Sequence, residues 1–225
     1  MEKKNKKALV WGVSLLIAFV LWTVLVCFVD VQAIGPEGSS VGFATLNRFV
    51  HNLTGVNMSL YVITDWLGLV PIGVAFGFAI LGLVQLIKRK SLWKVDHNIL
   101  ALGVFYIVVM AAYILFEMVV INYRPTLIDG YFEASYPSST TMLVMCVMPT
   151  AAMQLNVRIK NTVFRRCAII TIVAFTAFMV IGRLISGVHW ITDIIGGTLL
   201  SAGLVMMYYS IRNTLTKNNN QISVC

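Results

Sequence analysis

Six long apolar runs, separated by short polar or basic stretches, dominate the chain. They fall near residues 8–29, 66–87, 99–121, 139–155, 167–185 and 190–211. A helix needs about 20 apolar residues to cross a bilayer, and most of these runs meet that length. The pattern predicts an all-α fold, a six-transmembrane-helix bundle over 8–211. A basic N-terminus at 1–7 precedes it, and a polar tail at 212–225, ending in "TKNNNQISVC" and read as disordered, follows it. The fourth run is short and contains Pro149. The first is too long for a signal-peptide core, and no small-residue cleavage site follows it.

The stretch between the first two runs, residues 30–65, is the longest connection. "IGPEGSS" reads as a turn-rich loop. Beyond it, apolar residues at 43, 46, 49, 50 and 53 have helical spacing. That predicts a helix lying in the outer membrane interface. His51 lies on it, and His97 follows Asp96 on the other side; neither is assigned a role.

Composition agrees with the pattern. Hydrophobic residues are 59% of the 225, and charged residues 12%, whereas a soluble domain is about half apolar and a quarter charged. The net charge of +8 does not point to nucleic acid, because the basic residues cluster between the runs. All but three of the 17 Lys and Arg fall on one side when both termini are cytoplasmic. The positive-inside rule therefore predicts an N-in, C-in protein, with its basic face against anionic headgroups. Four cysteines form no CxxC or Cys/His cluster, so neither a disulfide framework nor a zinc site is indicated. Cys225 is the last residue and does not form a prenylation box.

The three basic residues on the outer side are Arg48, Arg124 and Arg183. The last two belong to stretches with chemical content. "GRLISGVHWITD" (182–193) joins the fifth run to the sixth. Once helical, His189 and Asp193 share a face, so the carboxylate can fix the tautomer of the imidazole and leave its other nitrogen nucleophilic. A nearby guanidinium suits an anionic substrate. "YPSSTT" (136–141) opens the fourth run with strong helix-start residues, and a helix N-terminus favours an anion. "NYRP" (122–125) is read as closing the third run, with Arg124 at its end.

In order and spacing these stretches resemble the type-2 phosphatidic acid phosphatase superfamily of membrane lipid phosphatases, whose fold is shared by vanadium haloperoxidases. The family pattern runs K-x6-R-P, then P-S-G-H, then S-R-x5-H-x3-D. Here it reads "EMVVINYRP", "PSST" and "GRLISGVHWITD". The resemblance implies that His189 is the nucleophile and forms a phosphohistidine, and that Asp193 orients it. Arg124 and Arg183 would hold phosphate oxygens, and Ser138 and Ser139 would add backbone N–H groups. Neither metal nor other cofactor is implied, because arginines and helix ends supply the positive potential.

Three positions depart from that pattern. Glu117 replaces the lysine of the first motif, Gly182 the serine of the third, and Thr140 the histidine of the second. That histidine would protonate the leaving alkoxide. A threonine hydroxyl cannot do so near neutrality, and losing a general acid typically costs about 10²–10⁴-fold. Glu117 lies seven residues before Arg124, two helical turns. It would repel phosphate unless paired with an arginine or protonated. The sequence reading is a phosphatase facing outward from a bacterial plasma membrane, with turnover impaired by Thr140. Its substrates would be lipids of the undecaprenyl diphosphate, phosphatidylglycerol phosphate or phosphatidic acid class. The alternative is an inactive relative that binds or carries lipid phosphates. The partners are lipid substrate and bilayer, not nucleic acid; oligomeric state is not read.

Overall fold

The computed structural model describes residues 2–222, with side chains over 3–216. Its helices are α1 (Glu2–Phe28), α2 (Ala44–Thr54), α3 (Met58–Leu67), α4 (Leu69–Arg89), α5 (His97–Met118), α6 (Ser139–Arg158), α7 (Thr162–Ile185) and α8 (Ile191–Ile222). Among the described residues six helical units are long and apolar enough to cross a membrane, α3 and α4 together forming one of them. An even number of spans puts the two termini at the same end of the bundle. A two-stranded hairpin, Gln32–Ala33 with Ser40–Val41, sits in the loop after α1.

Three boundaries differ from those read in the sequence, and each matters. The second span begins at Met58, not 66. Asn57 caps it, accepting from the Leu60 amide at 2.9 Å. Tyr61, Thr64 and Asp65, read as part of the outer loop, are therefore on the span. The break between α3 and α4 has a local cause. Pro71 lacks an amide hydrogen, and its ring would clash with the Leu67 carbonyl four residues back.

The third span ends at Met118. Residues 119–138 form a loop with isolated bridges Tyr123–Ala134 and Ile128–Tyr131. Arg124 is thus on a loop, and the shared helical face expected for Glu117 and Arg124 does not exist. At the other end, α8 runs on through Ile222, so most of the tail read as disordered is helix. Cys225 lies outside the described residues. Pro149 does not stop α6, which continues to Arg158.

The core forms around α6 and α8, half of whose apolar stretches are buried, against about a fifth or less in the other spans. Phe19, Leu102, Phe105, Met142, Cys146, Leu200 and Tyr208 meet there. The helix α1 lies along α8. A small residue at Gly203 allows this, since a Cβ there would sit 2.8 Å from a Leu16 methyl. Outward faces such as Phe76, Leu83 and Ile87 on α4 remain exposed, as lipid contact requires.

The interfacial helix is present as α2, and its polarity is informative. Phe49 and Leu53 point away from the protein, while Asn47 is fully buried. The Asn47 amide donates to the Gly42 carbonyl at 2.8 Å and to Thr192 Oγ1 at 3.0 Å. A helix in water would present the opposite face to the core. Here the apolar face meets lipid, and the polar one ties the loop to the start of α8.

Candidate active site

The turn between α7 and α8 is built from backbone constraints. Gly187 has φ of +69°, and a Cβ on it would lie 1.8 Å from the Gly55 carbonyl oxygen. The Asn57 amide donates to the Ser186 carbonyl at 2.9 Å. The chain then extends through His189 and Trp190 before α8 begins at Ile191. Asp193, at the third helical position, reaches back so that its Oδ2 accepts from the Trp190 amide at 2.9 Å. This is one arm of a capping box, and it fixes the carboxylate. The Trp190 indole donates to the Tyr123 carbonyl at 2.8 Å, pinning the 119–138 loop beside the turn.

His189 precedes α8, so the helical pairing with Asp193 expected from the sequence is not what forms. Its Nδ1 is 3.7 Å from Asp193 Oδ2, too far for a hydrogen bond. Ser135 fills the gap. Its hydroxyl donates to Asp193 Oδ2 and lies 3.1 Å from His189 Nδ1. A serine has one proton, and Asp193 takes it, so Nδ1 is the donor to Ser135 Oγ. The tautomer is thereby set with the lone pair on Nε2, which is buried and has no partner among the described residues. Ser135 was not among the residues singled out from the sequence, although it lies two residues before Pro137 of "YPSST".

Arg183 is in the last turn of α7 and is 1% exposed; Arg124 is 8% exposed. Each has a carboxylate neighbour that the sequence did not reveal. Arg183 Nη1 is 3.5 Å from Asp65 Oδ1 and 3.4 Å from Thr64 Oγ1. Arg124 Nε is 3.0 Å from Glu133 Oε2, close but too poorly directed to count as a hydrogen bond. Both guanidiniums lie against the Tyr61 ring, at 5.7 Å and 5.0 Å from its centre. Arg124 Nη1 and Arg183 Nε have no hydrogen-bond acceptor among the described residues. Buried donors without acceptors are costly in an otherwise satisfied fold. Burial, followed by the charges of Arg124 and Arg183, holds the His189 imidazole well below its ordinary pKa, which keeps it neutral.

At the start of α6 the two serines part ways. Ser138 is fully buried. Its amide donates to the Asp193 carbonyl at 3.1 Å, and its hydroxyl faces the Thr141 amide at 3.5 Å as the helix cap. The N–H group expected to bind phosphate is therefore already used. The first four amides of a helix have no intrahelical acceptor; with those of Ser138 and Thr141 taken, the ones left belong to Ser139 and Thr140. Both residues line an open polar cavity of about 750 Å³, shared with Tyr61, Glu117, Arg124 and Arg183. His189 does not line it but is buried beside the arginines. An apolar groove of about 450 Å³ adjoins this cavity and runs between α4, α5 and α6, sharing Asp65, Tyr113, Ser139 and Thr140 with it. No group of three or more His, Cys, Asp or Glu is placed to hold a metal among the described residues.

The PAP2 superfamily model matches residues 98–217, more than half of the chain. The chain belongs to the PAP2 superfamily. No curated protein matches it. Among solved structures it is similar to the first transmembrane PAP2 type phosphatidylglycerolphosphate phosphatase from Bacillus subtilis. Identity is 22%, the alignment covers 88% of this chain and 93% of that one, and the TM-score is 0.49.

Within this PAP2 fold the departures from the family pattern fall together. Glu117 and Thr140 line the same cavity. Gly182 packs on α3, where a Cβ would meet the Thr64 methyl at 2.8 Å. Glu117 is not paired with an arginine, because Arg124 and Arg183 face Glu133 and Asp65. Asp65 had left a signal in the sequence, an acid inside the apolar stretch "SLYVITDWLGLV".

Proposed function

We propose that this PAP2 protein hydrolyses phosphate or diphosphate headgroups of membrane lipids through a phosphohistidine. The observation that carries the reading is the pairing of two kinds of unsatisfied group. Buried guanidinium donors without acceptors lie beside a neutral imidazole with a free Nε2. A phosphate would satisfy both. In this reading Arg124 and Arg183 hold its oxygens together with the Ser139 and Thr140 amides. His189 Nε2 attacks phosphorus. Ser135 and Asp193 take up the charge that develops on the ring. The lipid tail runs into the apolar groove.

The distribution of Lys and Arg supports an N-in, C-in protein of the plasma membrane, with the site facing outward. Thr140 favours a substrate whose leaving group needs no proton, such as a lipid diphosphate, over a monoester. It equally favours a second reading, a binder of lipid phosphates that does not turn them over. Phosphate release from farnesyl diphosphate and from phosphatidic acid in detergent separates the two readings. Release by the wild type and none by His189→Ala is the expected result. Undiminished release by His189→Ala removes the nucleophile assignment.

A further inference from the structure

The proposed reaction leaves one task unassigned. When a lipid monophosphate is cleaved, the departing alkoxide needs a proton, and Thr140 cannot give it. The chain has three histidines. One is the nucleophile in that reading. His51 is on α2 with its ring 5.5 Å from Trp190, and His97 starts α5 at the opposite end of the bundle. Neither lines the cavity.

Three carboxyl groups do line it: Asp65, Glu117 and Glu133. Two of these are committed. Asp65 faces Arg183 at 3.5 Å, and Glu133 faces Arg124 at 3.0 Å. Each of these two carboxyl groups is occupied by a guanidinium. Glu117 has no cation partner among the described residues. Its near neighbour is instead Tyr113, one turn earlier on α5 and beside it in the cavity lining.

Its location is as telling as its lack of a cation. In a lipid phosphate, the scissile oxygen joins the headgroup to the tail. A substrate with its phosphate in the polar cavity and its tail in the apolar groove puts that oxygen where the two meet. Asp65, Tyr113, Ser139 and Thr140 line both, and of these Asp65 is already held by Arg183. Glu117 lines the polar cavity beside them, and it faces Ser139 again across a small neighbouring recess with Tyr113 and Pro137.

We propose that Glu117 is the general acid and base of the reaction, a role that rests on the phosphatase reading above. The N–P bond from His189 Nε2 forms as the P–O bond to the lipid breaks. The departing oxygen takes the Glu117 proton and leaves as an alcohol, and Glu117 becomes a carboxylate. Water then attacks phosphorus, and the N–P bond breaks, returning its electron pair to Nε2. Glu117 takes the proton of that water and is restored. The products are a lipid alcohol and inorganic phosphate.

The test is dependence on the leaving group. Full-length wild type, Glu117→Gln and His189→Ala are assayed in detergent on dodecyl phosphate and on p-nitrophenyl phosphate, whose phenolate departs without help. Glu117→Gln should lower kcat/KM on dodecyl phosphate, which reports the steps up to departure of the alcohol, by about 10²-fold or more, and the loss of kcat/KM on p-nitrophenyl phosphate should be at least about tenfold smaller; the loss of the base in the water step, common to both substrates, appears in kcat alone. Equal losses of kcat/KM on both substrates would mean a structural role and would overturn the proposal, as would an undiminished kcat/KM on dodecyl phosphate. If His189→Ala is dead while Glu117→Gln is unimpaired, only this inference falls. A wild type inactive on both substrates overturns the phosphatase reading and this one with it.

Discussion

Ser135→Ala is the sharpest probe of how His189 is held. The hydroxyl bridges the imidazole and Asp193, and Ser135 is 1% exposed, so water has little room to replace it. Alanine leaves His189 Nδ1–H with no acceptor. Asp193 Oδ2 keeps only the Trp190 amide. A hydrogen bond to a charged group contributes about 1.5–3 kcal/mol, and in the proposed reaction the imidazole becomes charged only as it bonds to phosphorus. The loss should therefore appear in kcat. At a factor of ten for each 1.36 kcal/mol, that is about 10–150-fold. KM should barely move, since Ser135 does not line the cavity. The assay is steady-state phosphate release from farnesyl diphosphate in detergent micelles. One competing outcome is built into the geometry. The 3.7 Å gap between Nδ1 and Oδ2 is short enough for a small ring rotation to close. If Ser135→Ala turns over within about threefold of wild type, under 1 kcal/mol, Asp193 acts directly and the serine relay is wrong.

Two other predictions follow from the same site. Arg183→Lys keeps the charge but loses the planar fork; it should reduce kcat/KM on farnesyl diphosphate by about 10–150-fold, the equivalent of one charge-assisted hydrogen bond, and an unchanged kcat/KM would take Arg183 out of the phosphate site. The depressed pKa of His189 predicts a pH-dependent stability: below about pH 6.5, the ordinary value, the unfolded chain binds a proton that the folded one refuses, so this contribution is full above that pH and falls as the pH drops through and below it. Thermal unfolding in detergent from pH 7.5 to 5 should show wild type losing more Tm than His189→Asn, and parallel curves would contradict the neutral, buried imidazole.

How much of this was legible in the chain depends on which interactions are local. The six spans are, because a run of apolar residues is its own signal. So is the order of Arg183, His189 and Asp193, which one turn brings together. The errors arose where tertiary contacts override local pattern. Period and spacing place His189 and Asp193 on one helical face, but α8 starts two residues after His189, and the partner inserted between them comes from residue 135. The same holds for Ser138, whose amide is taken by the Asp193 carbonyl of another helix. The start of the second span was misplaced because the α3 sequence "MSLYVITDWL" carries Tyr61, Thr64 and Asp65, which read as loop. Those polar residues belong on a span because they face Arg183 and Arg124 rather than lipid. An acid in a membrane helix is expensive unless paired, and here the partner is an arginine 118 residues away. A cluster of like-charged guanidiniums beside a carboxyl that none of them claims is not visible in any window of sequence. That arrangement singles out Glu117 from Asp65 and Glu133, and it makes the replacement of two family residues, at 117 and at 140, one chemical question instead of two.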